Sequence, residues 1–100
     1  MKRSALRFHA EAQAELLAAH RFYWERSPGA ADGFLLDLEL ALDEIAEAPA
    51  RWPTYVSGTR RIVLRRYPYF IVYLARRRAI TIIAVAHAKR RPGYWQRRVH

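Results

Sequence analysis

Basic side chains at strand-like spacing are the most chemically suggestive feature of this sequence. Arg61 and Arg65 lie four apart in "RRIVLRR", and Lys89, Arg90 and Arg91 follow the apolar run "AITIIAVA". At a period of two, Arg61 and Arg65 share a strand face with Val63, and Arg60 and Arg66 share the other with Ile62 and Leu64. Guanidinium groups that converge from two strands form a receptor for phosphate or carboxylate. A solvated rim that blocks edge-to-edge association would use the same residues. Both readings stand for Arg61 and Arg65, and the rim is preferred for Arg76 to Arg78 at a hairpin corner. Tyr94 and Trp95 follow a Pro-Gly turn, where they either stack on bases or anchor a partner, or fold back as a clamp. The clamp is preferred for Trp95. His87 ends the last strand, where its imidazole is expected to hydrogen-bond the backbone. All acids precede residue 48, so no metal site is expected. Ser4, Ser27 and Ser57 lack a local base motif, and no phosphate loop is present.

The elements that must position these residues can be read in order. "SALRFH" (4–9) alternates as a short strand. Ala10 to about Arg26 follows as a helix, with Ala12, Leu16, Ala19 and Tyr23 on its core face. Ser27 is a candidate cap with Pro28 in the first turn, although Gly29 and Gly33 obscure where the second helix begins. Phe34, Leu38, Ala41, Leu42 and Ile45 line that helix, while Asp37, Glu39, Asp43, Glu44 and Glu47 fall mostly outside the stripe. Pro49 stops it, and 48–59 is a loop. Strands are expected at 60–66, 69–76 and 79–88, with Tyr69, Ile71 and Tyr73 facing a core. Short connections make consecutive strands antiparallel and pair the helices as a hairpin. The expectation is an α+β fold of order βααβββ in two layers, as one domain over 1–100.

Composition narrows the partners. The 100 residues contain no cysteine, so disulfides and thiolate metal sites are excluded. No signal peptide or membrane-spanning run is visible, and a cytoplasmic protein without cofactor is expected. Net charge is +9, unevenly spread. Residues 1–50 carry five cations and all nine acids, whereas residues 51–100 carry thirteen cations and no acid. Codon bias enriches arginine without sorting acids into one half, so the segregation points to an acidic or phosphate-bearing partner.

The assembled pattern resembles a known group. "PYFIVYLARRRAITIIAVAHAKRRPGYW", preceded by Arg60-Arg61 and by an acidic helical hairpin ending in "IAEAPARWP", is similar to the RelE/ParE superfamily, the toxins of bacterial type II toxin–antitoxin modules, some of which stabilise plasmids. The likeness spans nearly the whole chain. It is most specific at Pro68-Tyr69 with Ile71 and Tyr73, and at His87-x-x-Arg90 with Pro92 and Trp95. It implies one of two activities: RelE-like members cleave messenger RNA on the ribosome without a metal, whereas ParE-like members bind DNA gyrase and perform no chemistry. Both are neutralised by a small antitoxin, so a hetero-oligomer is implied. The nuclease alternative would rest on Arg61, Arg65, Arg90 and Tyr94. Yet Phe70 stands where those nucleases carry a catalytic Arg after the aromatic, and Val63 replaces a second basic position. A gyrase-binding toxin is therefore the expectation, with antitoxin or target meeting Arg61, Arg65, Lys89, Arg90, Arg91, Tyr94 and Trp95. A nonspecific nucleic-acid-binding module is the remaining alternative.

Overall fold

The structure, a computed structural model, describes residues 6–99. Ser4 and Ala5 of the expected first strand, and His100, lie outside them. The order is β1 (Leu6–Phe8), α1 (Ala10–Trp24), α2 (Pro28–Glu47), β2 (Arg60–Val63), β3 (Tyr69–Arg76) and β4 (Ala79–His87). Short 3₁₀ turns occupy Val56–Gly58 and Gln96–Val99. The expected α+β architecture is present. The sheet runs β1-β4-β3-β2, with β2–β3 and β3–β4 antiparallel and β1 parallel to β4.

Local chemistry starts both helices where the sequence marks them. His9 Nδ1 accepts from the Glu11 backbone N–H at 3.1 Å and caps α1. Ser27 Oγ accepts from Ala30 N–H at 3.4 Å, with Pro28 following in the first turn. The glycines after Pro28 are thus inside α2. Gly33 has a reason to be there: the Tyr67 ring lies against its Cα, and the Tyr67 hydroxyl donates to Ala30 O at 2.7 Å, filling the space a Cβ would need.

The helical hairpin covers one sheet face. Phe34, Leu38, Leu42 and Ile45 of α2 and Ala12 and Ala19 of α1 pack on Ile62, Ile71, Tyr73, Ile80 and Ile82. Tyr73 is fully buried and its hydroxyl donates to Pro49 O at 2.7 Å. Between Val72 and Tyr73 the register slips, because Val72 pairs with Ala84 while Tyr73 pairs with Ile82, leaving Ile83 as an extra residue in β4. This bulge sends Ile82 and Val85 toward the helices but both Ile83 and Ala84 toward the opposite face. An unbroken apolar run can thereby serve two cores.

Two expectations change. The strand expected over 60–66 stops at Val63. The cause is Asp37, read from the sequence as lying off the core stripe but buried in the structure. Its carboxylate accepts from the backbone N–H of Arg65 (3.3 Å), Arg66 (2.9 Å) and Tyr67 (3.0 Å), curling the chain away from the ladder. Smaller shifts place the end of α1 at Trp24 and of β4 at His87.

Removing the Asp37 carboxylate orphans three backbone donors together. Asp37→Ala is expected to destabilise the fold by about 3 kcal/mol, read as a lower urea midpoint with unchanged slope. A loss under about 1 kcal/mol would show that water replaces the carboxylate without cost.

Candidate functional site

The sheet face away from the helices carries a second core, and the segment after β4 builds it. Pro92-Gly93 turns the chain, with Gly93 at φ 82°, and returns it across Phe70, Val72, Ile83, Ala84 and Ala86. Trp95 is fully buried there as the expected clamp. Its ring stacks on Tyr55 at 5.6 Å between centroids and meets Phe70 and Tyr94 edge-on at 6.0 and 5.4 Å. Its indole N–H has no acceptor among the described residues. Cations close both ends of this aromatic row. The Arg61 guanidinium lies 4.4 Å over Tyr55 and 5.1 Å over Phe70, and Arg90 lies 3.9 Å over Tyr94. Such contacts contribute about 0.5–2 kcal/mol each, more as water is excluded.

A carboxylate on α1 locks the returning segment. Glu15 accepts from the Tyr94 hydroxyl at 2.7 Å and from Arg98 Nη1 and Nη2 at 2.9 and 3.1 Å. It also takes the backbone N–H of Val85 at 3.0 Å, beyond the last residue that β1 pairs. Arg98 Nη1 returns a bond to Ile83 O at 3.2 Å. Burial first, then the hydrogen bond to Glu15 and its charge, hold the Tyr94 phenol above its ordinary pKa of 10.0, against the opposing effect of Arg90 and Arg98. Neither Glu15 nor Arg98 was singled out from the sequence. The available signal was positional: Glu11 and Glu15 lie four apart on one helix, opposite a half-chain with no acid to pair its arginines.

The other candidates divide between two regions. Arg61 and Arg65 both border a groove along the β2 edge, together with Glu44, Trp52, Tyr55 and Val63. The Arg65 guanidinium is held by Glu44 at 2.6 Å. Nearby, Leu36, Leu40 and Val63 are about half exposed, at 57, 47 and 60%. Arg90, Arg91 and Tyr94 border a separate basin at the C-terminal turn with Arg97 and Arg98. Lys89 is exposed beside it, and its backbone N–H donates to His87 Nδ1 at 3.0 Å, the strand-end bond expected of that imidazole. The structure gathers Arg90 with Tyr94, and Arg61 with Arg65, but lines neither region with all four. Among the described residues no group of three or more His, Asp or Glu is placed to hold a metal, and no helix is long and apolar enough to cross a membrane.

Comparison with known proteins bears on the family and the fold. Residues 6–92 match the family described as ParE toxin of type II toxin–antitoxin system, parDE. Toxin ParE2 of two Mycobacterium tuberculosis strains, CDC 1551 / Oshkosh and H37Rv, is 28% identical over 89 residues, covering 88% of this chain and 85% of the relative. A solved structure, the chromosomal ParDE TA system from P. aeruginosa, superposes with a TM-score of 0.74 at 20% identity. That match covers 85% of this chain and 96% of the other, and extends the likeness to the fold.

The Glu15 hub has a spectroscopic signature. Alkaline titration should find Tyr94 ionising later than an exposed phenol, and Glu15→Gln should bring it down while destabilising the fold by about 3 kcal/mol as Arg98 loses the nearer of its two carboxylates. Because the folded-state value is raised, the stabilisation is complete below the unfolded phenol's pKa of 10.0 and is lost as pH rises beyond it. An unchanged titration curve in Glu15→Gln would dissociate Tyr94 from the hub.

Proposed function

The chain belongs to the ParE toxin family of type II toxin–antitoxin systems, and from that premise we propose that it acts in the cytoplasm, as a single domain, by binding DNA gyrase without chemistry of its own. A cognate antitoxin neutralises it. The observation that carries the non-enzymatic reading is the placement of Phe70. At the position where the similar nucleases present a catalytic Arg to the scissile phosphate, this chain has a side chain that is 7% exposed, covered by Trp95 and flanked by Tyr55 and Arg61. A phosphate cannot reach that position without displacing the clamp. Arg61 and Arg65 also border a different groove from Arg90 and Tyr94, which weighs against one shared reaction centre.

The neutralising partner is read from the β2 edge. There Leu36, Leu40 and Val63 offer apolar contacts, and Arg61, Arg65 and Arg66 surround them with positive charge. An acidic, amphipathic antitoxin segment matches both properties. Apolar contacts supply a slow dissociation, and the positive charge of this edge, of which Glu44 pairs Arg65, speeds capture.

Expression without a partner should slow bacterial growth with DNA-damage signalling and filamentation, and purified toxin should inhibit gyrase supercoiling. Growth arrest accompanied by messenger RNA cut at ribosomal A sites would establish the nuclease reading instead. With the co-encoded antitoxin, Arg61→Glu combined with Arg65→Gln should slow association about tenfold at low salt and flatten its salt dependence, whereas Leu40→Ala should mainly raise the dissociation rate. An association rate indifferent to salt and to both arginines would remove capture of the antitoxin as the purpose of this edge.

A further inference from the structure

The second cationic region has a different lining and asks for a different ligand. The basin at the C-terminal turn encloses about 510 Å³. It is bordered by Arg90, Arg91, Arg97, Arg98, Tyr94 and Glu11. Arg98 is already neutralised, by Glu15 at 2.9 Å and Glu11 at 3.6 Å. Among the described residues no carboxylate is paired with Arg90, Arg91 or Arg97, and with one carboxylate to spare between Glu11 and Glu15 at Arg98 the basin keeps a net positive charge. Their backbone is held before any ligand arrives. Tyr94 N–H donates to Arg91 O at 3.3 Å, Gln96 N–H to Gly93 O at 3.0 Å and Arg98 N–H to Trp95 O at 2.8 Å, with Trp95 buried as the anchor.

We propose that this basin, built by Arg90, Arg91 and Arg97 around the Gly93 turn, binds the phosphodiester backbone of duplex DNA without reading its sequence. Phosphate is favoured over an acidic protein because the basin offers cations and no exposed aliphatic anchor of the kind that Leu36, Leu40 and Val63 provide at the β2 edge. Duplex is favoured over single strand because two guanidinium groups, Arg90 at 3.9 Å and Arg98 at 5.2 Å, already occupy the Tyr94 ring on which an unpaired base would stack. The inference is independent of gyrase as target: the basin would hold DNA whether or not the toxin reading is right.

Fluorescence anisotropy with the full chain and two labelled 20-base-pair duplexes of unrelated sequence tests it. Three phosphate contacts give a salt exponent near −2.7, so affinity should fall about 40-fold from 50 to 200 mM salt, equally for both duplexes. Arg91→Gln with Arg97→Gln should weaken binding about tenfold at 50 mM salt and reduce the exponent by about 1.8. Both side chains are exposed, and an unchanged melting curve verifies the fold. Arg76→Gln with Arg77→Gln removes the same charge at the β3–β4 corner and should change affinity less than about twofold. Equal loss from the two double variants would reduce the effect to net charge and overturn the site. So would absent duplex binding at 50 mM salt, displacement by polyglutamate of equal charge at lower concentration than competitor duplex, or tighter binding of single-stranded RNA than of duplex.

Discussion

A small sheet leaves backbone N–H groups without strand partners at its margins, and the architecture of this protein follows from how two of those margins are satisfied. Each helix contributes one carboxylate to the task. Glu15 of α1 takes the Val85 N–H where β1 has run out, and Asp37 of α2 takes three N–H groups where β2 ends. Donors left buried without an acceptor cost about 1–3 kcal/mol each, so these acids fix where each helix sits along the sheet rather than merely how deeply. Apolar packing alone would tolerate a small slide of the hairpin. A carboxylate matched to three particular donors would not.

The same two acids explain what the sequence did and did not make legible. Periodicity located both helices, the bounds of β3 and the buried face of Tyr69, Ile71 and Tyr73, because those elements obey local rules. Ser27-Pro28 marked a helix start that two glycines obscured, and the cap prevailed. Asp37 was misread because a charged residue at the buried edge of an apolar stripe looks, in one dimension, like the start of the polar face. Its justification is a loop 28 to 30 residues away. The Glu15–Arg98 pair is separated by 83 residues, beyond any spacing argument. The bulge at Ile83 was equally hidden, since an all-apolar run gives no alternation from which a slip could be noticed.

The candidate site was legible in its ingredients and not in its geography. The Pro-Gly turn announced that Trp95 folds back, which its full burial bears out, whereas the charge segregation named the cations without saying where they gather. What the sequence could not supply was the partition into two regions. Arg61 and Arg65 stay at the β2 edge, whereas Arg90 and Arg91 leave with the turn, and Trp95 with Tyr55 forms a wall between the strand arginine and the tail arginine. One basic half-chain thus presents an apolar-centred groove and a mainly polar basin.

The parallel pairing of β1 with β4 ties residues 6–8 to residues 80–82. During synthesis β1 leaves the ribosome well before β4, and the helical hairpin emerges with its apolar stripe still lacking most of the sheet that will cover it. Contacts this distant along the chain slow folding, since loop closure must precede any reward from pairing. The second core waits longer still, because Trp95 and Arg98 must be extruded before Phe70 is covered and Glu15 is neutralised. Until β2, β3 and β4 have followed, the hairpin's apolar stripe therefore has no sheet to cover it, and the face that Trp95 covers is completed later than the face that the helices cover.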